Sequence, residues 1–421
     1  MRFNVFKNTV LLFVLVLISC ASKTKNKNND TATVLAKTET TIDNTKLKPI
    51  IVGANQTEAY LPFLKGQRVG IVANQTSVVF KKVISNKTKD IHYTHIVDSL
   101  VALQMDIKKV FAPEHGFRGT ADAGEVVKDG NDVKTGLPII SLYGKNKKPT
   151  ADQLKDIDVV IFDIQDVGAR FYTYISSLHY VMEACAEQNK TLIVLDRPNP
   201  NGHYIDGPIL ETEHKSFIGM HPIPVVHGLT IGEYAQMING EKWLKDKVQC
   251  NLKVITIKNY DRQITYNLPI KPSPNLPNAK AINLYPSLCF FEGTNVSAGR
   301  GTDLQFQIYG SPFLPKTDYT FTPQPNEGAK YPKHQNKTCN GFNLSNTKHL
   351  SSLNLSYLIK AYNTTENKAD FFLKNGFFTK LAGTKTLQQQ IVAGWSEDKI
   401  KATWTSGLNE FLVLREPYLL Y

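Results

Sequence analysis

The sequence predicts an α/β protein in which a Rossmann-like domain with a mainly parallel sheet is followed by a smaller α+β domain. Between about residues 50 and 260, short apolar runs alternate with segments of helical periodicity, as in a parallel sheet covered by helices. Beyond about residue 270 this rhythm stops and the pattern becomes irregular. Right-handed crossovers would place the helices on both faces of the sheet.

Short apolar runs supply the predicted strands of the first domain. They are Arg68–Ala73, Lys108–Ala112, Pro138–Leu142, Val159–Ile164, Leu192–Leu195 and Leu252–Ile257. The clearest helical patterns between them are Tyr174–Gln188 and Thr230–Leu244. The second begins with Thr230 and has Glu233 three residues on, which is the spacing of a capping box.

A proline-rich stretch marks the predicted domain boundary. Prolines stand at positions 269, 272, 274 and 277, and they interrupt the strand–helix alternation. Residues 49–270 would form the Rossmann-like domain and residues 271–421 the smaller domain. In the smaller domain, Leu350–Tyr362 and Thr386–Glu397 have a helical pattern.

The first twenty residues have the pattern of a bacterial lipoprotein signal. A positive start precedes the apolar stretch Thr9–Ile18, which suits a signal-peptide core and is shorter than the about 20 residues that span a bilayer. The stretch ends in Ser19-Cys20, and residues 17–20 resemble a lipobox. We therefore expect residues 1–19 to be removed and Cys20 to carry the acyl chains of a membrane anchor. No acidic retention residue follows Cys20, which favours the periplasmic face of the outer membrane.

Charge and cysteine content narrow the classes of partner and cofactor. Residues 20–48 are rich in Lys, Asn and Thr and predict a disordered tether. The net charge is +12, but residues 1–48 hold eight Lys/Arg against three Asp/Glu, and the rest is spread without a dense basic block. Nucleic acid is therefore not expected as a partner. The cysteines after Cys20 lack the close spacing of a metal site, so no metal is expected, whereas an oxidising envelope permits disulfides.

Polar clusters follow three of the predicted strands. Ligands of open α/β sheets bind beyond the carboxyl ends of the strands, so these clusters predict a site. Their chemically active members are Glu114, His115, Arg118, Asp163, Asp166, Arg170, Tyr172 and Asn199. The chain carries neither a phosphate loop, a dinucleotide fingerprint nor a Gly-x-Ser-x-Gly elbow, so no cofactor is expected. The remaining carboxylates suit glycoside hydrolysis, in which a carboxylic acid protonates the leaving oxygen.

Five strings carry a family resemblance. They are FAPEHGFRG (111–119), DIQDVGARFYTY (163–174), LDRPNPNG (195–202), PSPNLP (272–277) and EGTNVSAGRGT (292–302). Through these strings the chain resembles the exo-acting β-N-acetylmuramidases of the NamZ type. The resemblance follows the same order along the chain, from about residue 50 to 421. The resemblance implies a site in the cleft between the two domains. It also implies release of β-1,4-linked N-acetylmuramic acid from the non-reducing end of peptidoglycan fragments.

Glu114 is the predicted general acid, because it directly follows a strand. Its neighbours His115 and Phe117 could reduce the solvation of the carboxyl group and so favour its protonated form. The second catalytic group is left open among Glu292, Glu125, Asp163 and Asp166. The substrate's own N-acetyl group is a further possibility, and the sequence does not choose between retaining, inverting and substrate-assisted mechanisms.

We expect a cationic side chain to bind the lactyl carboxylate of N-acetylmuramic acid. An arginine fork makes two charge-assisted hydrogen bonds to a carboxylate, and Arg118, Arg170 and Arg300 are the candidates. Other substrate-binding candidates are His115, Tyr172, Asn199, His227 and Asn295.

Two further functions compete with the muramidase at this point. One is a glycan-binding lipoprotein that has kept the fold and lost turnover. The other is a hexosaminidase that acts on another amino sugar, such as N-acetylglucosamine. Chromogenic glycosides with and without the lactyl ether would separate these readings.

Overall fold

Strands of the N-terminal part form the predicted parallel sheet in the computed structural model, which describes residues 48–81, 92–118 and 129–421. The strands of the described residues are β1 Val69–Ala73, β2 Val78–Lys81, β3 His92–His95, β4 Ile107–Ala112, β5 Gly130–Asn131, β6 Pro138–Ser141, β7 Val159–Asp163, β8 Thr191–Leu195, β9 Asn251–Ile255, β10 Ile308–Ser311, β11 Tyr319–Phe321 and β12 Cys339–Asn343. All six predicted strands are confirmed, and each observed end lies within two residues of its prediction.

The main sheet has seven strands in the order β5-β6-β4-β1-β7-β8-β9. Its neighbours pair in parallel except for β5 and β6. The chain leaves β1 toward β4 on one side and continues from β7 toward β8 on the other, so the topology switches direction between β1 and β7. Every residue of β1 and β7 is buried, because both faces of the sheet are covered. A ligand crevice is expected at the carboxyl edge of this switch point.

Helices pack around the sheet and recur through the C-terminal part. Their bounds in the described residues are α1 Thr57–Leu64, α2 Ile96–Ala102, α3 Ala151–Leu154, α4 Tyr174–Glu187, α5 Ile231–Gly240, α6 Ala279–Leu288, α7 Ser356–Thr364, α8 Phe377–Ala382, α9 Thr386–Val392, α10 Glu397–Ala402 and α11 Thr405–Arg415. The prediction of α4 is confirmed, and the capping box between Thr230 and Glu233 is present. The predicted extension of α5 to Leu244 is wrong, since Lys242 adopts a left-handed φ of 55°.

The C-terminal part combines a small antiparallel sheet, in the order β10-β12-β11, with helices α7–α11. The predicted helix from Leu350 begins only at Ser356, because the backbone of Leu350 exchanges hydrogen bonds with the Asn283 side chain of α6. The predicted helix over 386–397 is two helices. Gly394, with a φ of 74°, lies in the break between them.

One large apolar core contains residues from both sides of position 270, among them Leu178 and Val194 on one side and Phe290 and Leu381 on the other. A second core covers the opposite face of the sheet, around Ile71 and Leu100. Residues 48–421 form one compact unit, and the predicted division near residue 270 stays a prediction. Among the described residues, no helix has the length and apolarity needed to cross a bilayer.

Candidate active site

A cavity of about 900 Å³ lies where the switch point of the sheet faces the C-terminal part. One wall comes from residues that follow β4 and β7, namely Glu114, His115, Tyr172 and Thr173. The rest of the lining includes residues of the segment after α6, residues 328–333 and residues of α8. The cavity is therefore lined from both sides of the predicted boundary.

Glu114 stands in a tight turn two residues after β4. The turn is closed by the Gly116 amide, which donates to the Pro113 carbonyl at 3.0 Å, and His115 and Gly116 adopt left-handed φ values of 70° and 78°. Thr173, the residue before α4, donates its hydroxyl to Glu114 Oε2 at 2.6 Å. Burial raises the pKa of the Tyr143 phenol, and the neighbouring Glu114 raises it further. Glu114 is thus held between two hydroxyl groups at the cavity wall.

A second carboxylate, Glu292, also lines the cavity. It follows α6 in a 3-10 turn, and Arg300 Nε donates to Glu292 Oε1 at 2.5 Å. Lys333 lies beside this pair and donates to the carbonyls of Phe291, Thr294 and Val296. Burial lowers the pKa of Lys333 to about 8; Glu292 opposes that shift and Arg300 adds to it.

Two glycines fix the backbone around Arg300. Gly299 and Gly301 have φ values of 81° and 79°, which L side chains rarely adopt. A Cβ at Gly299 would lie 2.6 Å from Ile308, and one at Gly301 would lie 2.6 Å from the Gln324 carbonyl. The Gly-Arg-Gly string therefore allows the close packing that directs Arg300 to the wall of the cavity.

Asp163 and Asp166 do not line the cavity. Asp163 forms a buried, doubly hydrogen-bonded ion pair with Arg197, at 2.6 and 2.9 Å. Asp166 accepts from the Gly168 amide at 2.7 Å and lies 3.9 Å from His227, and burial raises its pKa to about 7. Both carboxylates brace strand ends, and neither faces the cavity as a catalytic group would. Glu125 lies outside the described residues.

Two of the three candidate arginines are also engaged away from the cavity. Arg118 pairs with Asp98 at 3.3 Å and with Asp132 at 2.8 Å. Arg170 is fully buried and donates only to backbone carbonyls, those of Pro208, Ile223, Leu381 and Ala382. The structure therefore places Arg300, and neither Arg118 nor Arg170, in the cavity wall.

Of the remaining predicted binding residues, some line the cavity and others lie outside it. His115 and Tyr172 line the cavity, whereas Asn199, His227 and Asn295 do not. Asn199 ties its loop to the segment before α5 by donating to the Leu229 carbonyl, and His227 accepts from the Leu229 amide. The Asn295 carbonyl accepts from His334 at 2.6 Å.

Several cavity residues were missed by the sequence reasoning. They are Tyr143, Thr173, Phe217, Tyr331 and Lys333. Thr173 lies within the string DIQDVGARFYTY (163–174), so its position could have been predicted from that string. The others belong to loops without periodicity, which gave no such indication. Within the described residues, the one cluster of metal-type ligands is Glu211, Glu213 and His214, and it does not line the cavity. The expectation that no metal is needed stays a prediction.

Comparisons with known proteins agree with this architecture. The family description "Exo-beta-N-acetylmuramidase NamZ, N-terminal" matches residues 69–280, and the corresponding C-terminal description matches residues 283–421. The chain belongs to the NamZ exo-β-N-acetylmuramidase family. Within the NamZ family, the chain is 37% identical to the peptidoglycan beta-N-acetylmuramidase NamZ of Bacillus subtilis (strain 168), over 100% of both chains.

Two solved structures share the NamZ fold. Both are crystal structures of DUF1343 family proteins from Bacteroides fragilis NCTC 9343. The first is 47% identical with a TM-score of 0.79 and covers 89% of this chain and 99% of its own. The second is 29% identical with a TM-score of 0.70 and covers 88% and 99%. The family prediction and the predicted fold class are therefore confirmed, and the chain is a glycoside hydrolase.

Proposed function

We propose that this chain hydrolyses the β-1,4 bond of a terminal N-acetylmuramic acid at the non-reducing end of peptidoglycan fragments, with Glu114 and Glu292 as its two carboxylates. The observation that carries the proposal is that both residues line one cavity, Glu114 from the turn after β4 and Glu292 from the 3-10 turn after α6. Full-length membership of the NamZ family supplies the reaction type.

Glu114 fits the role of general acid. It is partly buried in a tight turn, so it can reach the leaving oxygen while its carboxyl group is shielded from bulk water. The hydroxyl of Thr173 donates to one carboxyl oxygen and so fixes the orientation of the group at the cavity wall. A general acid must be within hydrogen-bond distance of the atom that it protonates, and a fixed rotamer helps to meet that demand.

Glu292 fits the role of the second group. Its pairing with Arg300 fixes the carboxylate in the lining of the cavity, where it can face the developing positive charge of the sugar or the group that attacks it. Asp163 is a weaker candidate because Arg197 occupies both of its carboxylate oxygens. Asp166 is weaker because it is buried outside the cavity.

The reaction and the roles are tested together with aryl β-glycosides. The purified protein should release the chromophore from the N-acetylmuramide and not from the N-acetylglucosaminide. Glu114→Gln and Glu292→Gln should each lower kcat by about 100-fold or more, because removal of an acid or base catalyst costs 10²–10⁴ in rate. Asp166→Asn serves as the matched carboxylate control and should keep turnover. Equal release from both glycosides would point to a broader hexosaminidase, and no release to a glycan-binding protein.

We further propose that the mature protein begins at a lipidated Cys20 and faces the periplasm from the outer membrane. The support is the lipobox-like string, the polar tract after it and the envelope location of peptidoglycan fragments. Cells grown with a clickable fatty acid should label the wild-type protein and leave Cys20→Ser unlabelled. Label on the variant, or recovery of the wild type in the soluble fraction, would contradict the proposal.

A further inference from the structure

We propose that Arg300 reads the lactyl carboxylate of the substrate and so makes the cavity selective for N-acetylmuramic acid over N-acetylglucosamine. The two sugars differ in the 3-O-lactyl ether, which carries one negative charge. Recognition of that group therefore needs a cationic donor in the cavity wall. The inference rests on the proposed function, and it adds the residue that sets sugar specificity.

Arg300 is a cavity cation with unused hydrogen-bonding capacity. A guanidinium has five N–H groups, and one of them, on Nε, is engaged with Glu292. Among the described residues, its Nη1 has no hydrogen-bond partner although it is buried. The side chain lines the cavity and is 25% exposed, so a ligand in the cavity can contact it. Burying a donor without a partner costs free energy, and a carboxylate brought to this guanidinium would supply acceptors.

Lys333 is the neighbouring cation, but its donors are already used. An ammonium has three N–H groups, and Lys333 donates to three backbone carbonyls. It therefore acts as a fixed positive charge that holds the wall in place. Arg300 is left as the member of the pair that can form new hydrogen bonds.

The charges of this cluster also match a monoanion. Glu292 carries one negative charge, and Arg300 and Lys333 carry two positive charges when both are protonated. These three described groups together thus carry a net charge of +1 at the cavity wall. A lactyl carboxylate would neutralise it, whereas the hydroxyl at the same position of N-acetylglucosamine would not.

The orientation of the guanidinium is fixed before a ligand binds. Glu292 holds Nε, and the guanidinium carbon lies 5.1 Å from the centre of the Phe306 ring. Gly299 and Gly301 set the backbone on either side. A preorganised fork loses less entropy on binding than a mobile lysine would, so an Arg-to-Lys change should be costly here.

The test compares three aryl β-glycosides: the N-acetylmuramide, its lactyl methyl ester and the N-acetylglucosaminide. The wild type should prefer the free acid to the ester by about 10- to 100-fold in kcat/KM, the range for a charge-assisted hydrogen bond. Arg300→Lys and Arg300→Met should lose this preference mainly through KM for the acid. They should change kcat/KM for the ester much less. Arg68→Lys, at a doubly hydrogen-bonded pair with Asp158 outside the cavity, is the control and should keep the wild-type preference.

Two outcomes would overturn the inference. If the variants lose acid and ester turnover equally, Arg300 only positions Glu292. If the variants keep the preference for the acid, another group reads the carboxylate. If the wild type cleaves no glycoside, the proposed function fails separately, and the inference is tested by titration calorimetry with free N-acetylmuramic acid and its methyl ester. Tighter binding of the acid that is lost in Arg300→Lys would support the inference. Equal binding of acid and ester would contradict it.

Discussion

Arg170 donates a 2.7 Å hydrogen bond to the carbonyl of Ala382, the last residue of α8. The same guanidinium also binds the carbonyls of Pro208, Ile223 and Leu381. The sheet-bearing part of the chain is thereby tied to the helix that contributes Phe377 and Leu381 to the cavity. Arg170, which belongs to one of the signature strings, therefore supports the cavity lining without lining the cavity itself.

Replacing Arg170 by Met should destabilise the fold and weaken catalysis together. Four buried carbonyls would lose a donor, of which the Ile223 carbonyl keeps a second one from the Leu210 amide, and each group left unsatisfied costs about 1–3 kcal/mol. We expect the free energy of unfolding, measured by urea denaturation, to fall by about 3 kcal/mol or more. Arg68→Met should cost much less, because its ion pair with Asp158 is exposed. Equal losses in the two variants would contradict the bracing role of Arg170.

Gly383 allows this close approach. It has a φ of 75°, and a Cβ added there would lie 2.6 Å from Arg170 Nη2. Gly383→Ala should therefore lower stability in the same direction as Arg170→Met. The two changes disturb one contact, so the double variant should lose less than the sum of the single losses, as a double-mutant cycle in urea would show. Full additivity would argue that the two residues act independently.

Asp166 should make stability depend on pH. Burial raises its pKa to about 7, above the ordinary value of 3.8, so the folded state binds more protons than the unfolded state between these values. The contribution of this group is fully present below about pH 3.8 and is lost as pH rises through 7, with a slope of at most about 1.4 kcal/mol per pH unit. Asp166→Asn removes that slope, so urea unfolding at pH 5–8 should show the variant gaining on the wild type as pH rises. A constant difference across this range would refute the prediction.

The centre of the sheet was predictable because its strands are buried on both faces. Strands such as β1 and β7 are continuous apolar runs with turn residues at their ends, so local sequence marks them. The helix predicted from Leu350 failed for the opposite reason. That segment has helical periodicity, but the Asn283 side chain takes the backbone hydrogen bonds of Leu350, and this tertiary contact has no local signal.

The signature strings predicted where the site lies, but they did not predict which charged groups form ion pairs. Glu114 and Asp163 both stand at strand ends, yet Asp163 is neutralised by Arg197 from the next strand end. Sequence spacing cannot tell which charged group finds a partner across the sheet. Tyr143 and Lys333 enter the cavity from loops whose position depends on the whole fold.

Thr173 should act as a positioning residue for Glu114. Its hydroxyl holds Glu114 Oε2 at 2.6 Å, and loss of that bond frees the carboxyl rotamer. Thr173→Val should lower kcat on the aryl muramide by about 10-fold, equivalent to about 1.4 kcal/mol, with KM little changed. Thr173→Ser keeps the hydroxyl and should restore most of the rate. A Val variant with the wild-type kcat would remove Thr173 from the mechanism.

Lys333 should set the alkaline limit of substrate binding. Burial lowers its pKa to about 8, so the ammonium loses its proton as pH rises through 8 and the cluster with Glu292 and Arg300 loses its net positive charge. KM for the aryl muramide should therefore rise above pH 8, while KM for its lactyl methyl ester should stay nearly flat, because the ester carries no charge for the cluster to attract. Steady-state kinetics from pH 6 to 9.5 would show the difference. In Lys333→Met the acid should have a raised KM at every pH and no alkaline step near 8. An alkaline step of equal size for acid and ester would instead report a group that acts on kcat or on the fold.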